Sequence, residues 1–242
     1  MSGQSRRGSL FAFISLVAAF ACVESSPTDP TGPGRLAYVS GDSQTIVAGT
    51  AAAPFVVKVT RADGQPLAST SVTWAVDSGG GTLDVASSVT DANGLARATY
   101  TGPTKVGTAN VLAYVTNLPG LLTRFSVKLK SDVASSLTSA GGNGAATLTE
   151  KSLVLVAKAA DKNGNGVSGV RVTWASGTGG TVAAIADTTD ANGLARATFT
   201  VGAAPGKYSA TASATSLGTT TFTVDAITAS SVENSLSRGQ SR

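Results

Sequence analysis

The chain has 242 residues, of which 42% are hydrophobic, 13% charged and 5% aromatic, with 28 glycines and a formal charge of +4. It contains no histidine and one cysteine, which removes the commonest general base, the Ser-His and Cys-His nucleophile pairs, the usual zinc ligand and any internal disulfide. Its lysines and arginines are scattered rather than interleaved with aromatics, so the basic stripe or stacking platform of a nucleic-acid-binding protein is missing from the sequence.

The N-terminus reads as a signal peptide over residues 1–21. Arg6 and Arg7 form its positive region, residues 10–20 (LFAFISLVAAF) its apolar run, and Ala19-Phe20-Ala21 a small-x-small cleavage pattern. That run is too short to be a membrane-spanning helix, which needs about 20 apolar residues. Removing the segment lowers the formal charge to +2. Ser5-Arg6-Arg7 also resembles the start of a twin-arginine signal, although two arginines equally suit an ordinary positive region.

Cys22 follows Ala21 directly, and this stretch resembles the lipobox of bacterial lipoproteins. The resemblance implies a diacylglycerol on the Cys22 sulfur and a lipid anchor in the membrane. Val23 and Glu24 lack the aspartate that resembles an inner-membrane retention mark, so the expected location is the outer membrane, surface-facing. The alternative is simple cleavage after Ala21, which gives a periplasmic or secreted protein. Residues 22–34 then carry Pro27, Pro30 and Pro33 among small polar residues, a composition that cannot bury a core and reads as a semi-rigid tether.

The rest of the chain is a duplication. TDANGLARAT occurs at residues 90–99 and again at 189–198, and Val72-Thr73-Trp74 recurs as Val172-Thr173-Trp174. A period near 100 residues suits whole sandwich domains rather than the turns of a solenoid. The expected domains are 35–130 and 131–227, followed by a disordered tail over 228–242. Turn residues separate short apolar runs. In the first domain these predict strands at 36–40, 55–61, 71–76, 96–101, 109–115 and 122–129, with a weaker one at 83–86. In the second they predict 133–139, 153–160, 171–176, 195–201, 207–214 and 219–226, with a weaker one at 181–184. The fold class is therefore all-β, two tandem immunoglobulin-like β-sandwiches.

Strand alternation places Val72, Trp74 and Val76 on one face, and Val170, Val172 and Trp174 on the corresponding face. Ala96, Ala98 and Tyr100 should face inward, with Arg97 and Thr99 outward. Each tryptophan is expected to anchor its domain by burying on the order of 200 Å². Tyr38, Tyr114 and Tyr208 have no evident core duty, although Tyr208 alternates with Ala210.

Asp63-Gly64-Gln65-Pro66, Val72-Thr73-Trp74 and the TDANGLA segment, with their second-domain partners, resemble the Big-1 domain, the bacterial Ig-like module of the intimin and invasin family. The resemblance covers residues from about Arg35 to Ala226. It implies stacked extracellular domains that serve as a stalk or in cell adhesion, with a cell-surface protein or glycan as the partner. On this reading the family's membrane β-barrel is not expected before the first repeat, nor its lectin-like tip after the second.

Single residues and motifs have bland readings. Asp91 and Asp190 suit Asx turns, and Asn93-Gly94 and Asn192-Gly193 supply the positive φ that tight turns need. The run from Asp161 to Gly166 (DKNGNG) opens like an EF-hand loop, yet its twelfth position is Val172 rather than a bidentate glutamate. A hairpin turn and a looser calcium site at the domain junction both remain open there. No cofactor is expected, and no S-x-x-K or G-x-S-x-G nucleophile motif occurs. Arg97, Arg196, Lys58 and Lys158 are candidates for surface contact. The expected function is a non-catalytic envelope lipoprotein acting as rigid spacer or adhesion module; the alternative is a soluble or periplasmic carbohydrate- or protein-binding accessory module.

Overall fold

The computed structural model describes residues 31–230. The expected signal peptide, Cys22, most of the tether and residues 231–242 lie outside them. All named elements are strands. The first sandwich comprises β1 (Pro33–Ser40), β2 (Gln44–Val47), β3 (Phe55–Arg61), β4 (Ser71–Ser78), β5 (Thr82–Leu83), β6 (Ser87–Val89), β7 (Leu95–Ala98), β8 (Tyr100–Thr101), β9 (Gly107–Val115) and β10 (Leu118–Lys130). The second comprises β11 (Ser136–Gly141), β12 (Ala145–Leu148), β13 (Ser152–Ala160), β14 (Thr173–Ser176), β15 (Thr181–Ala184), β16 (Leu194–Thr200), β17 (Gly206–Ala214) and β18 (Gly218–Ile227).

In the first domain a sheet ordered β1-β3-β7 faces one ordered β2-β10-β9-β4-β6, with β5-β8 as a small extra pair. In the second, β11-β13-β16-β15 faces β12-β18-β17-β14. Most pairings are antiparallel, but β2 runs parallel to β10 and β12 parallel to β18. The fold is thus two tandem Ig-like sandwiches.

Period-two alternation builds both cores. On β9, Ala109, Val111, Ala113 and Val115 are buried while the residues between them are not, and on β16 Ala195, Ala197 and Phe199 alternate in the same way. Ala96, Ala98 and Tyr100 face inward, and Arg97 is exposed. Val72 and Trp74 are buried and Val76 partly so; in the second domain Val172 is buried, with Val170 and Trp174 only partly covered.

The centre of the first core is phenylalanine. Phe55 stacks on Phe125 with ring centroids 4.5 Å apart, and Trp74 tilts against Phe125 at 6.0 Å. In the second core Trp174 leans on Phe222 at 5.5 Å. The two tryptophans are not equivalent. Trp74 is 3% exposed and its Nε1–H donates to Ser88 Oγ at 2.9 Å, whereas the Trp174 Nε1–H is enclosed without a hydrogen-bond partner. Asp187 stands where the first domain has Ser88, and β14 has no counterpart of β6 along its edge. Tyr208 is buried and Tyr38 exposed.

Several expected strands change shape. Residues 96–101 divide into β7 and β8, because Tyr100 leaves β3's sheet to pair with Leu83. Val133 is 78% exposed and precedes its strand rather than belonging to it. β2, β6 and β12 do not figure among the expected strands; each has at most four residues at a sheet edge and no apolar alternation to mark it.

Truncating Phe125 to alanine should remove about 3–5 kcal/mol from the first domain. The outward Tyr114→Ala should cost less than about 1 kcal/mol. Urea unfolding followed by Trp74 fluorescence, with Trp174 replaced by phenylalanine, measures both.

Candidate interaction site at the domain junction

The identical decapeptides form matching turns. Asp91 Oδ1 accepts hydrogen bonds from the backbone N–H groups of Asn93 (2.8 Å) and Leu95 (3.0 Å), and Asp190 Oδ1 accepts from Asn192 (2.9 Å) and Leu194 (3.0 Å). Gly94 and Gly193 follow at φ 74° and 76°, a region that glycine enters freely. Their carbonyls accept the N–H of Val59 and Ala159, which fastens each turn to the preceding inner strand.

Thr90 and Thr189, not singled out by sequence reasoning, complete the device. Each is buried and its hydroxyl donates at 2.7 Å to a carbonyl of the facing loop, Leu67 and Val167 respectively, while accepting an N–H from Thr70 or Val170. The turns are therefore internal fittings. The Asp190 carboxyl is held below the usual aspartate range by the Leu194 N–H and by Arg196, whose guanidinium lies 2.9 Å away.

The Asp161–Gly166 loop does something its first-domain counterpart does not. Asp161 and Asn165 are both buried, at 3% and 5% exposure. Asp161 Oδ1 accepts the N–H groups of Asn163 and Asn165, each at 2.9 Å. Its Oδ2 accepts the Asn165 side-chain amide at 3.0 Å and the N–H of Asp132, in the segment linking β10 to β11, at 3.1 Å. Burial pushes this carboxyl up, but the four hydrogen bonds outweigh it and hold the group below its ordinary value.

Asn165, so oriented, reaches across to the first domain. Its Nδ2 donates to Thr104 O at 2.8 Å, and its Oδ1 accepts the Val106 N–H at 3.3 Å. Lys105 Nζ adds a bond to Asn163 O at 3.4 Å, and Lys162 pairs with Asp132 at 3.5 Å. A shallow cleft of about 310 Å³ beside the joint has Val106 and Lys130 on one wall and Gly166 and Ala191 on the other.

Both Asp161 oxygens are thus occupied by donors, which leaves no lone pair directed at a cation, and Val172 at the twelfth loop position is 1% exposed. Among the described residues no group of three or more His, Cys, Asp or Glu is placed to hold a metal ion. Of the surface candidates, Arg97 is exposed, Lys58 is half-buried, Lys158 donates to Gly164 O at 3.1 Å, and Arg196 serves Asp190. Strand register brings them together in pairs, Lys58 with Arg97 on β3 and β7 and Lys158 with Arg196 on β13 and β16, one pair in each domain. Counting from the shared Lys58 and Lys158, Arg61 and Gln65 occupy the positions of Asp161 and Asn165. That difference between the repeats is the signal that marks the joint.

Asn165→Ala should uncouple the domains. It deletes both cross-domain bonds of the side chain and leaves Asp161 short of a donor, a loss of about 1–3 kcal/mol in domain coupling. Backbone ¹⁵N relaxation should then give two tumbling times in place of one. Because the folded Asp161 carboxyl titrates below its unfolded value, its stabilisation is complete above the ordinary aspartate range. It should be lost only as pH falls through the lower folded value, which an acid titration of the same relaxation rates would follow.

Residues 38–127 match the family of the bacterial Ig-like domain (group 1). No curated protein matches the chain. Among solved structures it is similar to the D0-D1 domain of intimin at 22% identity and a TM-score of 0.35, covering 80% of this chain and 94% of that one. It is similar to the Yersinia pseudotuberculosis adhesin InvE at 20% identity and a TM-score of 0.40, covering 79% and 58%. For Yersinia pseudotuberculosis InvD the values are 16% and 0.48, covering 80% and 57%. The chain therefore spans somewhat more than half of the InvE and InvD structures. Residues 38–127 thus resemble a bacterial Ig-like domain of group 1, and landmarks of that stretch, Val72-Thr73-Trp74 and the TDANGLARAT segment, recur in the second sandwich.

Proposed function

We propose that the chain is a non-catalytic cell-envelope lipoprotein, held to the outer membrane by a lipid on Cys22, whose paired Ig-like domains act as a rigid spacer and adhesion module. The observation that carries the spacer reading is the Asn165 amide, buried at the junction and bonded to Thr104 and Val106 of the other domain. A polar side chain buried with its donors and acceptor matched fixes an angle between domains, because any rotation would leave it unpaired in a low-dielectric setting. A flexible tandem has no use for such a fitting. The family match over residues 38–127 supports the adhesion half, with a cell-surface protein or glycan as the partner class. The anchor rests on the position of Cys22 directly after a small-x-small pattern.

Metabolic labelling with an alkyne fatty acid should tag the wild-type protein and leave Cys22→Ala unlabelled. Protease added to intact cells should clip the domains of the wild type. Absence of label, with the domains recovered from the medium or periplasm, would replace the anchor with a soluble binding module.

A further inference from the structure

The pole of the second domain farthest from the joint differs from its first-domain counterpart at two positions. Val47 lies opposite Lys130 and Leu148 opposite Ile227, so Gly49 and Glu150 occupy the same turn position two residues later. Gly49 has φ 86° and Glu150 φ 62°. Glycine adopts the left-handed region without strain and glutamate does not. The chain therefore holds a carboxylate-bearing residue where its own repeat shows that glycine serves the turn.

The second difference lies across that turn. In the first domain a methyl placed on Gly80 would touch the Pro103 ring at 3.8 Å. The second domain has Gly179 and Gly202 at these positions. A concavity of about 310 Å³ opens there, lined by Glu150, Gly179, Gly180, Thr181, Thr200 and Gly202 among others. The Glu150 N–H donates to Gly202 O at 3.2 Å, which fixes the turn at the rim. No cation pairs with Glu150 among the described residues.

We propose that this pole is a ligand site for a cationic group, an ammonium or guanidinium. Glu150 is the one charged residue of the lining, which holds neither lysine nor arginine; Thr181 stands beside it, as does Thr200, whose hydroxyl pairs with Ser152 Oγ at 2.7 Å. A carboxylate without a cation of its own suits a charged donor, since hydrogen bonds between ionised partners are the strong ones. Glu150 precedes β13 and Asp161 follows it, so the site and the joint are separated by the length of that strand, roughly 30 Å. The proposal deepens the adhesion reading, and rests on it for the site's role at the pole of the second domain away from the joint. Binding is measured on the purified full chain, so loss of the lipid anchor would leave the result intact.

The experiment is a ¹⁵N–¹H titration with a lysine-containing peptide and, separately, with putrescine; the peptide acetylated on its lysine is the control. The cationic probes should shift the amides of Gly179, Gly180 and Gly202 saturably, and the acetylated peptide should not. Response to the peptide points to a protein partner, and response to putrescine alone to a free polyamine; either supports the site. Glu150→Gly should weaken binding at least about tenfold while the melting temperature holds or rises, because the variant restores the unstrained residue. Glu150→Gln should also weaken binding. Absence of shifts with both cations, or undiminished affinity in Glu150→Gln, would overturn the proposal.

Discussion

A buried carboxylate ties the two halves of the molecule together. Asp161 sits at the end of β13 with four hydrogen bonds to its two oxygens, and one of its donors, Asn165, makes the contacts across the joint. The arrangement works because each polar atom is matched. A buried charge is costly alone, but here the N–H of Asp132 satisfies it from the linker while Asn163 and Asn165 satisfy it from the loop. The linker, the loop and the neighbouring domain are thereby drawn onto one residue. That is how a five-residue connection between β10 and β11 can define an orientation rather than merely a distance.

Each sandwich must be stable without disulfides, since the only cysteine lies at position 22. Packing takes that role. In the first domain Phe55, Phe125 and Trp74 form a continuous ring contact, with Tyr100 buried beside them and its hydroxyl donating to Gly80 O. The second domain has one such contact among the described residues, Trp174 with Phe222, and fills much of its core with alanine. Its edge at β14 is looser, as the unpartnered Trp174 indole nitrogen shows. The two repeats therefore share a sandwich plan but differ in their fittings: the buried Asp161–Asn165 pair and the concavity beside Glu150 both belong to the second.

Much of the fold is legible from residue order. Alternation on β9, β16 and β17 marks inward positions directly, and the repeated decapeptide sets the period of the domains. Edge strands are harder. β2 and β12 earn their pairing only because the last strand of each domain lies alongside in parallel, more than 70 residues away. The phenylalanines at the core centre are as hydrophobic as many others, and only the meeting of the two sheets shows which ring faces which. Asn165 is the clearest case at the site itself. Its own surroundings, Asn163-Gly164-Asn165-Gly166, describe a turn, while Thr104 and Val106, the partners that give it meaning, lie about sixty residues upstream. Comparison of Asp161 with Arg61 and of Asn165 with Gln65 would have flagged the difference without explaining it.

Residual dipolar couplings of the wild-type chain in a weakly aligning medium report on the rigidity of the joint. A fixed joint predicts that backbone N–H couplings from both domains fit a single alignment tensor, with the domains placed as the Asn165 contacts hold them. Two tensors of different magnitude would mean that the domains reorient independently, and that the buried Asn165 contacts do not hold in solution.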